Sequence, residues 1–101
     1  FAIDLLTGAN HHDIAFHFNP RMHSVVLNSY RNRTWDSSDE RKGGPFVKGG
    51  AFDMIMFVKQ EDYEVIVNGL NYCSFNHRIP VDKVTTLRIW GDVFINNFSI
   101  I

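Results

Sequence analysis

Asp13-Ile-Ala-Phe-His-Phe-Asn-Pro-Arg21 (DIAFHFNPR) is the stretch on which the reading of this chain turns. An extended strand sends successive side chains to opposite faces. Ile14, Phe16 and Phe18 then share one face, which predicts contact with a core, while His17, Asn19 and Arg21 line the other. An imidazole, an amide and a guanidinium in one row supply donors and acceptors in fixed directions but no obvious nucleophile. Such an array suits holding a neutral, hydroxyl-rich ligand better than cutting one.

Outward from this segment the pattern stays all-β. Predicted strands are Phe1–Leu6, Ile14–Asn19, Ser24–Ser29, Ala51–Lys59, Tyr63–Val67, Asn71–Phe75, Val84–Trp90 and Val93–Ile101. Most alternate or carry short β-branched and aromatic runs, and no stretch keeps apolar residues at helical spacing for three turns. Turn signals separate them, at Thr7–Asn10, Gly43-Gly44-Pro45, Gly49-Gly50, Glu61-Asp62, Asn68-Gly69 and Trp90-Gly91-Asp92. Asn68-Gly69 is the strongest hairpin signal, because both residues tolerate positive φ. Ile79–Lys83 predicts one short helical turn. Many short strands at this spacing predict an all-β, antiparallel β-sandwich of two sheets.

At 101 residues the chain has the size of one small domain. Hydrophobic residues make up 45% of it, nine of them Phe, so a packed interior is expected and disorder is not. Ten basic against eleven acidic residues leave a net charge of −1, which argues against a phosphate-driven nucleic-acid binder. No apolar run approaches the roughly 20 residues of a membrane-spanning helix, so membrane insertion is not expected. Cys73 stands alone and cannot form an internal disulfide; it reads as an unreactive strand thiol. No charged segment followed by an apolar one precedes Phe1, so no signal peptide is visible. The chain opens directly on a strand, as though cut.

More polar groups follow the first row. In SVVLNSY the alternation places Asn28 on a neighbouring strand's polar face, and Trp35 follows in a polar stretch that does not force it into the core. Asp39, Glu40 and Arg41 close the set. Sugar hydroxyls suit bidentate partners such as Arg, Asn and carboxylate, and the sugar C–H face suits a flat aromatic. Other chemistry fits less well. Hydrolysis of a glycoside needs two carboxyls about 5–9 Å apart across one bond, and only the adjacent Asp39 and Glu40 map to this face. No catalytic residues are therefore assigned. His11, His12, His17 and His23 lack metal-ligand spacing, so no metal is expected. Trp90 reads as structural or surface, and His77-Arg78 as an anchor for the turn that follows.

At these residues the chain resembles the galectins, the β-galactoside-binding lectins. The resemblance rests on HxNPR (His17, Asn19, Arg21), VVxNS (Val25 to Ser29), Trp35 with a nearby acid and Arg41, and Pro45-Phe46. It continues through Val67-Asn68-Gly69, Phe75 with His77-Arg78-Ile79, and the run from Val84 to Asp92, so it covers essentially the whole chain. It implies a jelly-roll sandwich, galectin- or concanavalin-like, without enzyme activity or cofactor. In the roles it implies, His17, Asn19 and Arg21 hold the axial 4-hydroxyl of galactose and Asn28 the 6-hydroxyl. Trp35 stacks on the ring, and an acid with Arg41 reaches the neighbouring glucose or N-acetylglucosamine. The implied partners are β-galactoside glycans on glycoproteins or glycolipids, met through a homodimer or a tandem second domain. DIAFHFNPR and the ERK…PF run look most like tandem-repeat members. Cytoplasmic residence with non-classical secretion is the implied location.

Three departures from the family pattern carry expectations of their own. Galectins usually read W-G-x-E-x-R, whereas here Ser38 stands three residues after Trp35, Glu40 five and Arg41 six. Either a local shift brings Asp39 or Glu40 together with Arg41 in the site, Glu40 being favoured, or part of this arm is lost. Only three residues separate Arg21 from Val25, which predicts an open groove tolerant of 2- or 3-substituted galactosides. Galectin domains also usually carry about 30 further residues and two strands before the position of Phe1. Residues 1–101 therefore read as an N-terminally truncated carbohydrate-recognition domain, expected to be poorly stable alone because unpaired backbone would be exposed.

Overall fold

The computed structural model describes residues 1–8 and 12–99. Among them nine strands form two antiparallel sheets, joined late in the chain by one 3₁₀ turn at Val81–Lys83. The larger sheet holds β1 (Ala2–Thr7), β2 (Asp13–Pro20), β3 (Ser24–Arg31) and β9 (Val84–Trp90) in the order β3-β2-β1-β9. Two short strands, β4 (Thr34–Trp35) and β5 (Asp39–Lys42), pair in succession along the free edge of β3. The smaller sheet is β6 (Met54–Val58), β7 (Asp62–Val67) and β8 (Leu70–Asn76) in simple hairpin order.

The core lies between the sheets and follows the alternation. Ile3, Phe16, Phe18, Val25 and Leu27 face inward from the large sheet, and Tyr63, Val65, Val67 and Phe75 from the small one. Phe16 is the bridge between them: its ring stacks on Tyr63 at 4.9 Å and on Phe75 at 4.6 Å between centroids. Such offset pairs add to the burial of the rings themselves. Cys73 is half-buried in β8, and burial pushes its thiol up to about 11, so it stays protonated and unreactive at neutral pH.

Turn chemistry sets the register. Asn68 and Gly69 both adopt positive φ, 53° and 80°, closing β7 onto β8 as their sequence predicts. Gly91 has φ 97°, and a Cβ there would lie 2.9 Å from the Cα of Phe1, so the turn after β9 needs a glycine for space as well as for backbone angle.

Two expectations are corrected. Ile14 does not share the row of Phe16 and Phe18. A bulge between Ile14 and His17 inserts one extra residue in β2, and Ile14 lies opposite Tyr30 on β3 and Leu6 on β1. It is still buried, on the outer face of the sheet. The second correction concerns Val93–Ile101. Residues 93–99 form no strand, and residues 100–101 lie outside the described ones. Phe94 is 96% exposed, and no strand among the described residues pairs with this segment. The predicted turn at Thr7–Asn10 lies partly outside the described residues as well.

Candidate functional site

The outer face of the large sheet carries the polar row, and the strand register fixes who stands beside whom. Arg88 of β9 lies opposite Asp4 of β1, Asp4 opposite His17 of β2, and His17 opposite Asn28 of β3. One residue pair further along, Asn19 lies opposite Val26, and Val26 opposite Glu40 of β5. Trp35 of β4 lies opposite Tyr30. Residues distant in sequence thus form a polar strip, interrupted by Val26 and bounded by an indole.

Each side chain is held in place. His17 is buried, and its Nδ1 bonds the Asp4 carboxylate. Asn19 donates from Nδ2 to the Phe1 carbonyl at 2.7 Å, while its Oδ1 accepts from Arg21 Nε at 2.9 Å. This leaves the outer nitrogens of the exposed Arg21 guanidinium available to a ligand. Asn28 accepts on Oδ1 from the Ser29 amide at 2.8 Å and from Arg78 at 3.1 Å, which aims its amide nitrogen away from both donors. Trp35 is 48% exposed, its ring 4.8 Å from the His17 ring and edge-on to Tyr30 at 5.1 Å. A half-exposed indole propped by two rings is a ready plate for an apolar ligand face.

In the segment after Trp35, Glu40 reaches the strip as favoured, but the expected pairing of an acid with Arg41 there does not form, and that part of the arm is lost. Antiparallel pairing puts Asp39 opposite Leu27 and Arg41 opposite Val25, both core residues, so these two side chains point to the other side of the sheet. There Arg41 donates to Asp39 at 2.5 Å. Both line a crevice of about 340 Å³ with Ser74, Asn76 and Arg78, on the side of the sheet opposite the polar strip. The hydrogen bond from Arg41 is the main reason its guanidinium is pushed above the usual range. Only Glu40 faces the strip. It is bonded to Lys42 at 2.9 Å and to Ser24 at 3.2 Å, and these contacts, with Arg21 nearby, hold its carboxyl below the usual range. Period-two alternation allows one choice or the other: Glu40 and Lys42 outward, or Asp39 and Arg41.

Among the supporting residues, Asp4 and Asp36 carried no signal in the sequence. Asp4 is fully buried beneath the strip; besides His17 it accepts from Arg88 at 2.7 Å and from the Trp90 indole at 2.8 Å. Burial pushes its carboxyl up, but the hydrogen bonds from His17, Arg88 and Trp90 outweigh this and leave it below the ordinary range. Arg78 reaches Ser29 and the Ser37 carbonyl as well as Asn28, and its own carbonyl accepts from Arg31 at 2.9 Å. It therefore anchors the chain after β8 to the edge of β3, in keeping with its reading as a structural residue. Asp36 lies below its usual pKa through a bond from the Ser29 hydroxyl and an ion pair with Arg31.

Among the described residues no three His, Cys, Asp or Glu side chains come together as a metal site, and no helix is long and apolar enough to cross a membrane. His11 lies outside the described residues. Chemically, the strip offers directed hydrogen bonds to hydroxyls and a stacking surface.

Comparison with known proteins gives this face its context. The family profile described as galactoside-binding lectin matches residues 1–100. Galectin-4 of Bos taurus is 41% identical over 92 residues, covering 88% of this chain but 28% of its own length. Human galectin-7 is 31% identical over 103 residues, covering 99% of this chain and 76% of its own. The chain thus spans less than a third of the galectin-4 relatives it matches. Among solved structures, a point variant of human galectin-16 superposes with a TM-score of 0.83 at 35% identity, covering 88% of this chain and 65% of that one. Sheep galectin-11 in complex with glycerol gives 0.80 at 31%, covering 85% and 65%. On the strength of the family match and of the fold, this chain belongs to the galectins, the galactoside-binding lectins.

Proposed function

We propose that the polar strip binds β-galactosides of the lactose and N-acetyllactosamine type. In this reading His17, Asn19 and Arg21 meet the axial 4-hydroxyl, Asn28 donates to the 6-hydroxyl, and Trp35 stacks on the C–H face of the ring. The observation that supports it is the convergence of these side chains on one open face beside a half-exposed indole. An equatorial 4-hydroxyl would leave half-buried polar groups unpaired, which is the physical basis for rejecting glucose. Glu40 stands five residues after Trp35, where the family pattern has an arginine, so the second sugar meets a carboxylate flanked by Lys42. The tight turn in which the Arg21 amide donates to the Ser24 carbonyl at 2.7 Å leaves room beside the galactose for 2- or 3-substituents.

A shallow, wet site gives weak single-site affinity, so useful avidity on a glycoprotein or glycolipid surface calls for a second site, in tandem or through a homodimer. The altered arm favours a second reading, a galectin that no longer binds lactose and acts through protein contacts. Lactose titration separates them. We expect saturable binding by the parent and at least a tenfold loss in Arg21→Ala; a parent with no affinity for lactose would leave the protein-contact reading.

A further inference from the structure

Asp4 is the one carboxylate wholly buried among the described residues, and every bond it makes converges on the sugar face. One oxygen takes His17 Nδ1. The other takes Arg88 Nη2 at 2.7 Å and Trp90 Nε1 at 2.8 Å. Guanidinium and indole nitrogens only donate, and an ionised carboxylate only accepts. The pattern is therefore consistent in one sense only: His17 carries a proton on Nδ1 and donates it to Asp4. A neutral imidazole protonated at Nδ1 has a bare lone pair at Nε2, and no described residue bonds that atom.

We propose that Asp4, itself clamped by Arg88 and Trp90, is a positioning residue that fixes the His17 tautomer and makes Nε2 an acceptor for a sugar hydroxyl. The hydroxyl that donates to His17 is then free to accept from Arg21 and Asn19, so that each group in the strip has a defined direction. This role rests on the reading above that His17 meets the sugar, but its first half can be examined without any sugar. Arg88 and Trp90 sit on β9, more than 80 residues from Asp4 in sequence. They act here on a site that neither need touch.

Asp4→Asn is the decisive substitution because it keeps shape and burial. Arg88 and Trp90 still demand an acceptor, so the new amide turns its oxygen to them and its NH₂ toward His17. Nδ1 must then accept, and the ring proton moves to Nε2. In the ¹⁵N-labelled protein at neutral pH, without sugar, long-range ¹H–¹⁵N spectra should show His17 protonated on Nδ1 in the parent and on Nε2 in Asp4→Asn. Lactose affinity should fall at least tenfold in the variant. Adding Arg88→Ala and Trp90→Phe to Asp4→Asn removes both competing donors and lets the amide oxygen turn back to His17. The Nδ1 proton and most of the lost affinity should return, judged against Arg88→Ala/Trp90→Phe with Asp4 intact.

A parent spectrum with the proton on Nε2, or with protons on both ring nitrogens so that Nε2 cannot accept, overturns the proposal outright, and needs no variant to fold. So does an Asp4→Asn protein whose tautomer or lactose affinity matches the parent. A parent protonated on Nδ1 that takes no lactose overturns the acceptor role together with the lactose reading, while the link from Asp4 to the tautomer stands on the spectrum alone.

Discussion

Trp35 shows how a single residue can be given two fates by its surroundings. An indole buried in a core would be filler, but here nearly half its surface is open while its ring leans on His17 and Tyr30. Covering such a surface with a sugar face is worth on the order of 1–3 kcal/mol. Trp35→Ala should therefore weaken lactose by about tenfold or more, read by calorimetric titration, with little change in melting temperature. The residues that follow make a sharper contrast. Glu40 faces the strip and Arg41 the opposite side, so Glu40→Gln should alter affinity for lactose or N-acetyllactosamine several-fold. Arg41→Ala should leave it within about twofold. Parallel titrations check both, and a large loss in Arg41→Ala alone would reverse the assignment of faces.

At the scale of elements, the site exists because β1, β2, β3 and β9 present one row each to the same face. Their hairpins and bulges decide which row that is. Asn68-Gly69 and the strand Val84–Trp90 were legible from local sequence, since turn stereochemistry and alternation act within a few residues. Gly69→Val puts a β-branched side chain at φ 80° and should lower stability by about 1–2 kcal/mol, seen as a drop in urea midpoint without change in the outer polar strip. The bulge ahead of His17 was not legible, because it appears only when β2 is laid against β3. The outward face of β5 was equally hidden. DERK is polar at all its positions, so no hydrophobic row declares which side is in.

For the whole molecule, two sheets share one core of limited size, and carboxylates with depressed pKa values help to hold it. Asp4 and Asp36 lie below the ordinary range in the folded chain. The sign follows: the stability they contribute is fully present above the unfolded value of about 4 and is lost as pH falls through the lower folded values. Urea midpoints should thus be flat from neutrality to about pH 5 and fall below about pH 4. Asp36→Asn should start lower and fall less steeply. A midpoint that rises on acidification would contradict the ion-pair account of both residues.

The all-β class, most strand positions, and the His17, Asn19, Arg21 and Asn28 strip followed from the sequence by itself. They depend on period-two alternation and on turn residues, which are properties of neighbours along the chain. Tertiary structure alone decided that Asp4, a lone acid in the strand AIDLLT, lies under His17, that Arg88 and Trp90 clamp it from β9, and that Glu40 rather than Arg41 joins the strip. Those outcomes are set by the register between strands and by which face is excluded from water, and neither quantity is written in any local run of residues.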